Sequence, residues 1–152
     1  MEDRLRKPYR PCVVGVFVNE KKEVLVALRR DKRAWQFPQG GVEDGESFKE
    51  ALFREMKEEI GCDRFEIVTV APEMLHYDFP EKSTIELAKV FRGQSQRWFL
   101  CKFHEGFGPN LDQCTSDEFL ETKWSSPQEI AKTIIDWKKE TYRRGLGLLG
   151  LL

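Results

Sequence analysis

The chain has 152 residues, 40% of them hydrophobic and 34% charged, which is the content of one ordinary domain and too little for two independent cores. Its 25 Lys and Arg against 26 Asp and Glu give a formal charge of −1, which excludes a general attraction to polyanions and makes any phosphate binding local. Eleven Phe and four Trp exclude a disordered chain, and Cys12, Cys62, Cys101 and Cys114 form no C-x-x-C pair, so they are expected to be reduced thiols of a cytoplasmic protein.

Met1, Glu2, Asp3, Arg4 and Arg6 precede no apolar run, so a secretory leader is not expected. Residues 12–18 and 24–28 are β-branched, apolar runs joined by Asn19-Glu20-Lys21-Lys22, which predicts two paired strands. Phe37-Pro38-Gln39-Gly40-Gly41 breaks regularity and predicts a shaped loop, with both glycines free to take positive φ. Ser47-x-x-Glu50 has the form of a capping box, and Phe48, Leu52, Met56 and Ile60 recur at helical spacing up to Gly61, which predicts a helix over 47–60. Residues 65–70, 98–103 and 122–124 read as further strands. The stretch 73–93 holds no steady period and is expected to leave the sheet. Ser126-Pro127-Gln128-Glu129 predicts a helix start, with that helix running to about residue 135 and another over 137–144. The apolar GLGLLGLL at 145–152 is far shorter than a membrane span and is expected to pack on the domain as a helix end.

Acids concentrate in residues 43–59, where Glu43, Asp44, Glu46, Glu50, Glu55, Glu58 and Glu59 meet only Lys49, Arg54 and Lys57. At about 100° per residue, Glu55, Glu58 and Glu59 share one face of the predicted helix. Like charges at that spacing cost a helix a few tenths of a kcal/mol each, a term whose sign a divalent cation reverses. Hard oxygen donors without neighbouring Cys or His suit Mg²⁺ or Mn²⁺. A solvated acidic face is the other reading of these acids, and the residues alone leave both open.

The order of residues goes further. Gly40, five residues, Glu46, seven residues, then Arg54-Glu55-Met56-Lys57-Glu58-Glu59-Ile60-Gly61-Cys62 resembles the Nudix box, G-x5-E-x7-R-E-U-x-E-E-x-G-U. Only Cys62, at a position for a bulky aliphatic residue, departs from it. A narrower resemblance is carried by Tyr9-Arg10-Pro11, Trp35-Gln36-Phe37-Pro38-Gln39-Gly40-Gly41, Gly93-Gln94-x-Gln96-Arg97-Trp98-Phe99-Leu100, and Glu118-Phe119 before Trp124. These are similar to the Nudix branch of bacterial RNA pyrophosphohydrolases and dinucleoside polyphosphate hydrolases.

The resemblance implies an α+β Nudix fold, an α/β/α sandwich with a mixed sheet between helices, over a single domain spanning 1–152. It also implies metal-dependent hydrolysis of phosphoanhydride bonds at the 5′-triphosphate or diphosphate end of RNA, with diadenosine tetraphosphate as the alternative substrate. A catalytically silent RNA- or nucleotide-binding module would be marked by loss of helix carboxylates, and all three are present. The expected partners are such RNA or a nucleoside polyphosphate, and neither DNA nor a membrane. By resemblance, Glu55, Glu58 and Glu59 are metal ligands and catalytic, Gly40 belongs to the metal site, and Arg54 with Glu46 forms a structural ion pair. Glu118 matches a further acid, as ligand or base, although alone it reads as a surface acid. Arg10, Arg30 and Lys138 match positions that contact 5′ phosphates, and Trp137 matches an aromatic set against a base, with a core Trp as the alternative. Arg29 is a further candidate for gripping phosphate, but it, Lys32 and Arg33 read equally as solvent-facing charges at a strand end. His76 and His104 are expected to be structural or surface residues, and Trp35 and Phe37 core residues beside a tight loop.

Overall fold

The computed structural model describes residues 2–31 and 34–152, so Lys32 and Arg33 lie outside the described residues. In chain order the elements are α1 (Glu2–Arg6), β1 (Tyr9–Phe17), β2 (Val24–Arg29), β3 (Trp35–Gln36), β4 (Gln39–Gly41), α2 (Phe48–Ile60), β5 (Phe65–Val70), β6 (Leu75–Asp78), β7 (Gly93–Phe103), β8 (Phe119–Ser125), α3 (Pro127–Thr133) and α4 (Lys139–Leu148). Short 3-10 turns cover Glu86–Lys89, Leu111–Gln113 and Asp136–Lys138.

Side chains of β1 alternate between two layers. Val14 and Val16 join Phe37, Trp98, Leu100, Ile130, Ile134, Tyr142 and Leu146 in one core. Val13 and Phe17 join Leu52, Met56, Ile60, Phe65 and Phe99 in the other. A strand covered by helices on both faces needs apolar residues at successive positions, which is why residues 12–18 read as an unbroken run. β1 runs parallel to β7, from Tyr9 opposite Gly93 to Phe17 opposite Cys101, and antiparallel to β4. The far side of β7 pairs with β6 along its first half and β5 along its second. A separate sheet has the order β3-β2-β8. Parallel and antiparallel pairings between α2 on one side and α3 with α4 on the other make the expected α/β/α sandwich.

Local signals hold where they are strongest. The Ser47 hydroxyl accepts from the Glu50 N–H at 3.0 Å while the Glu50 carboxylate accepts from the Ser47 N–H at 2.9 Å, and Gly61 closes α2 with φ of 69°. Ser126 likewise caps α3, with Pro127 in its first turn.

The stretch 73–93 departs from expectation, because residues 75–78 form β6. Leu75 and Tyr77 are buried while His76 is exposed, an alternation only four residues long. β7 begins at Gly93 and not at 98, since Gln94 and Gln96 are buried with hydrogen-bond partners, and a hydrophobic pattern does not register them. Trp137 falls in a 3-10 turn ahead of α4, which continues through Gly145 and Gly147 because Leu146 and Leu149 are buried below it. Among the described residues no helix is long and apolar enough to cross a membrane.

Phe37 is fully buried, as expected of a core residue. Its ring stacks on Tyr142 with centroids 4.9 Å apart, and its N–H donates to the Tyr142 hydroxyl at 3.0 Å. This bond ties the loop leading into β4 to α4.

Candidate active site

One side of α2 enters the core through Ala51, Leu52, Met56 and Ile60, and Glu55 and Glu59 are each only 7% exposed beside it. Glu55 approaches β4 so closely that a Cβ at Gly40 would lie 1.9 Å from its carboxylate. A Cβ at Gly41 would lie 2.4 Å from an Arg10 guanidinium nitrogen. The sequence reading gave these glycines a freedom of φ, yet neither has a positive φ among those of the chain that do. Their role is space: adjacent residues of a strand face opposite ways, so a carboxylate and a guanidinium close on the backbone of β4 from its two sides.

Arg54 holds the acids in place. Its Nε and Nη2 donate to the two oxygens of Glu46 at 2.7 and 2.8 Å, so the expected pair forms, in bidentate geometry. Nη2 also donates to the Gly41 carbonyl at 2.8 Å, and Nη1 to Glu55 at 2.9 Å and Glu58 at 3.2 Å. These hydrogen bonds pull the Glu46 carboxyl down to about 2. Glu55 moves the other way, because burial outweighs the pull of Arg54. Burial, and then the Glu118 carboxyl beside it, raises Glu59 well above the ordinary carboxylate range, and its Oε2 is buried without a hydrogen-bond partner among the described residues.

These acids form one wall of a cavity of about 380 Å³. Glu55, Glu58, Glu59 and Glu118 line it with Gly40, together with the cations Arg10, Arg29 and Lys138 and the rings of Tyr77, Phe79 and Trp137. Gln94 accepts from Arg10 at 3.4 Å and from the Cys12 thiol at 2.6 Å, and donates to the Tyr77 hydroxyl. Gln96 donates to Gln39 at 2.6 Å and accepts from the Trp98 indole at 3.1 Å. Lys138 is 6% exposed, with its ammonium 5.1 Å from the Trp137 ring centroid and 5.6 Å from that of Tyr77. Burial, then the charge of Arg29, lowers its amine to about 8. Such a desolvated cation gains from an anion brought beside it.

The structure thus gathers Gly40, Glu55, Glu58, Glu59, Glu118, Arg10, Trp137 and Lys138 around one cavity. Arg30 is the exception. It is exposed, and pairs with Asp117 through its carboxylate at 2.7 Å and its carbonyl at 2.8 Å. Arg29 lines the cavity in its stead, after a register shift between Leu28 and Arg29 that a residue pattern does not foretell. Trp137 is half-buried, edge-on to Tyr77 at 5.3 Å and Phe79 at 6.2 Å, so it packs on aromatic neighbours and still faces the cavity. His76 and His104 are exposed. Sequence reasoning missed Tyr77, Phe79, Gln36 and Gln94 as lining residues; Gln94 stood within the 93–100 motif, and the short alternation at 75–78 was the only signal for Tyr77.

Among the described residues no three His, Cys, Asp or Glu side chains converge as a finished metal cluster. A hard divalent cation nonetheless fits this wall by its chemistry. Its donors are all oxygens, one of them is buried and unpartnered on Glu59, and at Gly40 the missing Cβ leaves the backbone open toward Glu55.

Residues 8–145 match the NUDIX domain. The chain belongs to the Nudix family. A Sulfurovum sp. (strain NBC37-1) RNA pyrophosphohydrolase is 41% identical to it over 144 residues, 91% of each chain. Nudix hydrolase 25 of Arabidopsis thaliana is 36% identical over 157 residues, covering 97% of this chain and 90% of that one. Among solved structures, a binary complex of a C. elegans Ap4A hydrolase superposes with a TM-score of 0.65 at 21% identity, over 93% of this chain and 98% of that one, a likeness of fold. Nudix hydrolases act on pyrophosphate bonds and generally need a divalent metal.

Proposed function

We propose that this Nudix hydrolase is an RNA 5′-pyrophosphohydrolase that cleaves phosphoanhydride bonds at a 5′-triphosphate or diphosphate end and leaves a 5′-monophosphate. The observation that carries the reading is the cavity itself, where an acidic wall is joined by Arg10, Lys138 and three aromatic rings. Those are the parts needed for a polyphosphate attached to a base. Relatives named RNA pyrophosphohydrolase, 41% identical in the Sulfurovum case, support it. The whole chain serves as one catalytic domain, and its free cysteines suit the cytoplasm.

Glu55, Glu58, Glu59 and Glu118, with the backbone at Gly40, are the residues that would hold Mg²⁺, or Mn²⁺ in its place. Bound there, the cation withdraws charge from the polyphosphate and acidifies the attacking water. Arg10, kept in place by Gln94, and Lys138 grip phosphate oxygens outside that wall. Arg29 adds charge at the same rim. Glu118, which lines the cavity with the helix acids, is the carboxylate suited to take up the proton of the water. Trp137, with Tyr77 and Phe79, offers a stacking surface tolerant of base identity.

A dinucleoside polyphosphate hydrolase is the second reading, because the same acidic wall would serve its polyphosphate. The two separate on products: the purified protein with Mg²⁺ is given 5′-triphosphorylated RNA and diadenosine tetraphosphate at equal concentrations. The RNA reading requires the higher kcat/KM on RNA, with 5′-monophosphorylated RNA as product. A preference for diadenosine tetraphosphate with ATP among the products would reverse the assignment.

A further inference from the structure

Beside the active-site cavity lies a second one of about 290 Å³, and the two share Phe79 and Ile85 as a common wall. Arg4, Lys7, Lys89 and Arg92 line it against a single acid, Glu81. Two further carboxylates stand close by. Asp78 is shared between Arg4 at 3.6 Å and Arg92 at 3.1 Å, and the exposed Glu86 pairs with Lys89 at 3.1 Å. One carboxylate cannot neutralise two guanidiniums, so positive charge is left over. Arg4 also carries an unused donor, since its Nε is buried without a hydrogen-bond partner among the described residues. A buried N–H without an acceptor is a cost that an anion in the cavity removes.

The cavity is built by the fold and is not a chance gathering of surface side chains. The Lys7 ammonium donates to the Ala88 carbonyl at 3.0 Å, and the Arg92 N–H donates to the Pro8 carbonyl at 2.9 Å. Asp78 accepts from the Tyr9 hydroxyl at 2.6 Å, and the Arg92 guanidinium lies 5.0 Å from the Tyr9 ring centroid. These contacts fix the end of α1 against residues 88–92 and hold the basic groups on one side of the Phe79 and Ile85 ridge.

We infer that this second cavity binds a backbone phosphodiester of the substrate RNA, two or more nucleotides from the 5′ end. The inference rests on the RNA reading above. A strand whose 5′ phosphates reach the acidic wall and whose first bases lie on Tyr77, Phe79 and Trp137 must leave the first cavity, and the shared ridge leads to the basic groups. Non-specific phosphate contacts of this kind hold a strand in register without reading its sequence. A dinucleoside polyphosphate has no phosphodiester to place there, so the second cavity favours RNA over that substrate. A free anion, such as inorganic phosphate, has the same chemistry and is the competing source.

The test uses Lys89→Glu and Arg4→Gln in the full chain. Lys89 is 73% exposed and pairs with Glu86 alone among the described residues, so its reversal leaves the fold intact. kcat/KM is measured at several salt concentrations on a triphosphorylated hexanucleotide, a triphosphorylated dinucleotide and diadenosine tetraphosphate, each with and without inorganic phosphate. Both variants should lose roughly 3- to 10-fold on the hexanucleotide and keep wild-type rates on the two short substrates. The slope of log kcat/KM against log salt on the hexanucleotide should flatten by about 0.7 for the lost contact. Unchanged rates on the hexanucleotide, or equal losses on all three substrates, overturn the inference and leave the RNA reading standing. A wild-type protein that processes no RNA overturns both. Inorganic phosphate that alters wild-type rates on diadenosine tetraphosphate but not those of Lys89→Glu would make the cavity a free-anion site instead.

Discussion

Around the active-site cavity, an acidic wall drawn from one stretch of chain, with Glu118 added from just before β8, meets a lining drawn from many elements. The acidic side takes Glu55, Glu58 and Glu59 from α2 and Gly40 from the strand just before it, with Arg54 bracing them from within. The rest of the lining takes Arg10 from β1, Arg29 from β2, Tyr77 from β6, Gln94 from β7 and Trp137 with Lys138 from the turn before α4. Spacing in the first wall is set by helix geometry and two caps, so it survives changes elsewhere. Spacing in the second depends on the pairing of β1, β6 and β7 in one sheet, on β2 in the other, and on the turn before α4. Substitutions in the acidic wall should therefore strike the chemistry alone, and those in the rest of the lining should strike substrate choice.

The largest effect that sharpens this contrast is metal removal: activity on any polyphosphate should require added Mg²⁺ or Mn²⁺ and vanish in chelator, and full turnover in excess chelator would end the metal assignment. Next, Glu58→Gln and Glu59→Gln should each lower kcat by about 10²-fold or more. Neither should lose thermal stability, and near-normal rates in both would make the wall a solvated surface. In the rest of the lining, Trp137→Ala and Lys138→Ala should cost RNA roughly 5- to 150-fold in kcat/KM, the equivalent of about 1–3 kcal/mol for a stacked base, and cost diadenosine tetraphosphate less. Equal losses on both substrates would erase the distinction between the walls. Smallest in rate is Glu46→Gln, which leaves kcat nearly unchanged but removes an anchor of Arg54, at about 1–3 kcal/mol of stability. Arg54 holds that carboxyl at about 2, below the usual value of about 4.3, so its contribution is whole above pH 4.3 and is lost as pH falls through 2. Urea midpoints of the wild type and Glu46→Gln should converge over that interval, and a gap persisting at pH 2 would contradict the ion pair.

What could be read from the residues follows the same division. The capping box at Ser47 and Glu50, the stop at Gly61, the pairing of Arg54 with Glu46 and the shared face of the three acids are local, and local spacing announces them. Gln94 was legible as part of a motif but not as the residue that holds Arg10, because that contact spans 84 positions. Arg29 and Arg30 are neighbours, and a register shift decides which of them meets the cavity. Gly40 and Gly41 carried a correct signal with a different cause, closeness of a carboxylate and a guanidinium and not a turn of the backbone.

The Phe37 N–H and the Tyr142 hydroxyl that accepts from it are 105 positions apart. Tyr142 belongs to α4, so the loop that presents Gly40 to Glu55 has its footing in an element the ribosome makes more than a hundred residues after the loop. Until residues 139–148 have emerged, the Phe37 N–H has no acceptor there and its ring no stacking partner, although the whole motif helix is already synthesised. The footing of this loop is therefore among the last parts of the chain to be made. A chain cut short before Tyr142 carries every carboxylate of the acidic wall and still lacks the hydrogen bond and the ring that hold Phe37, next to the strand that carries Gly40.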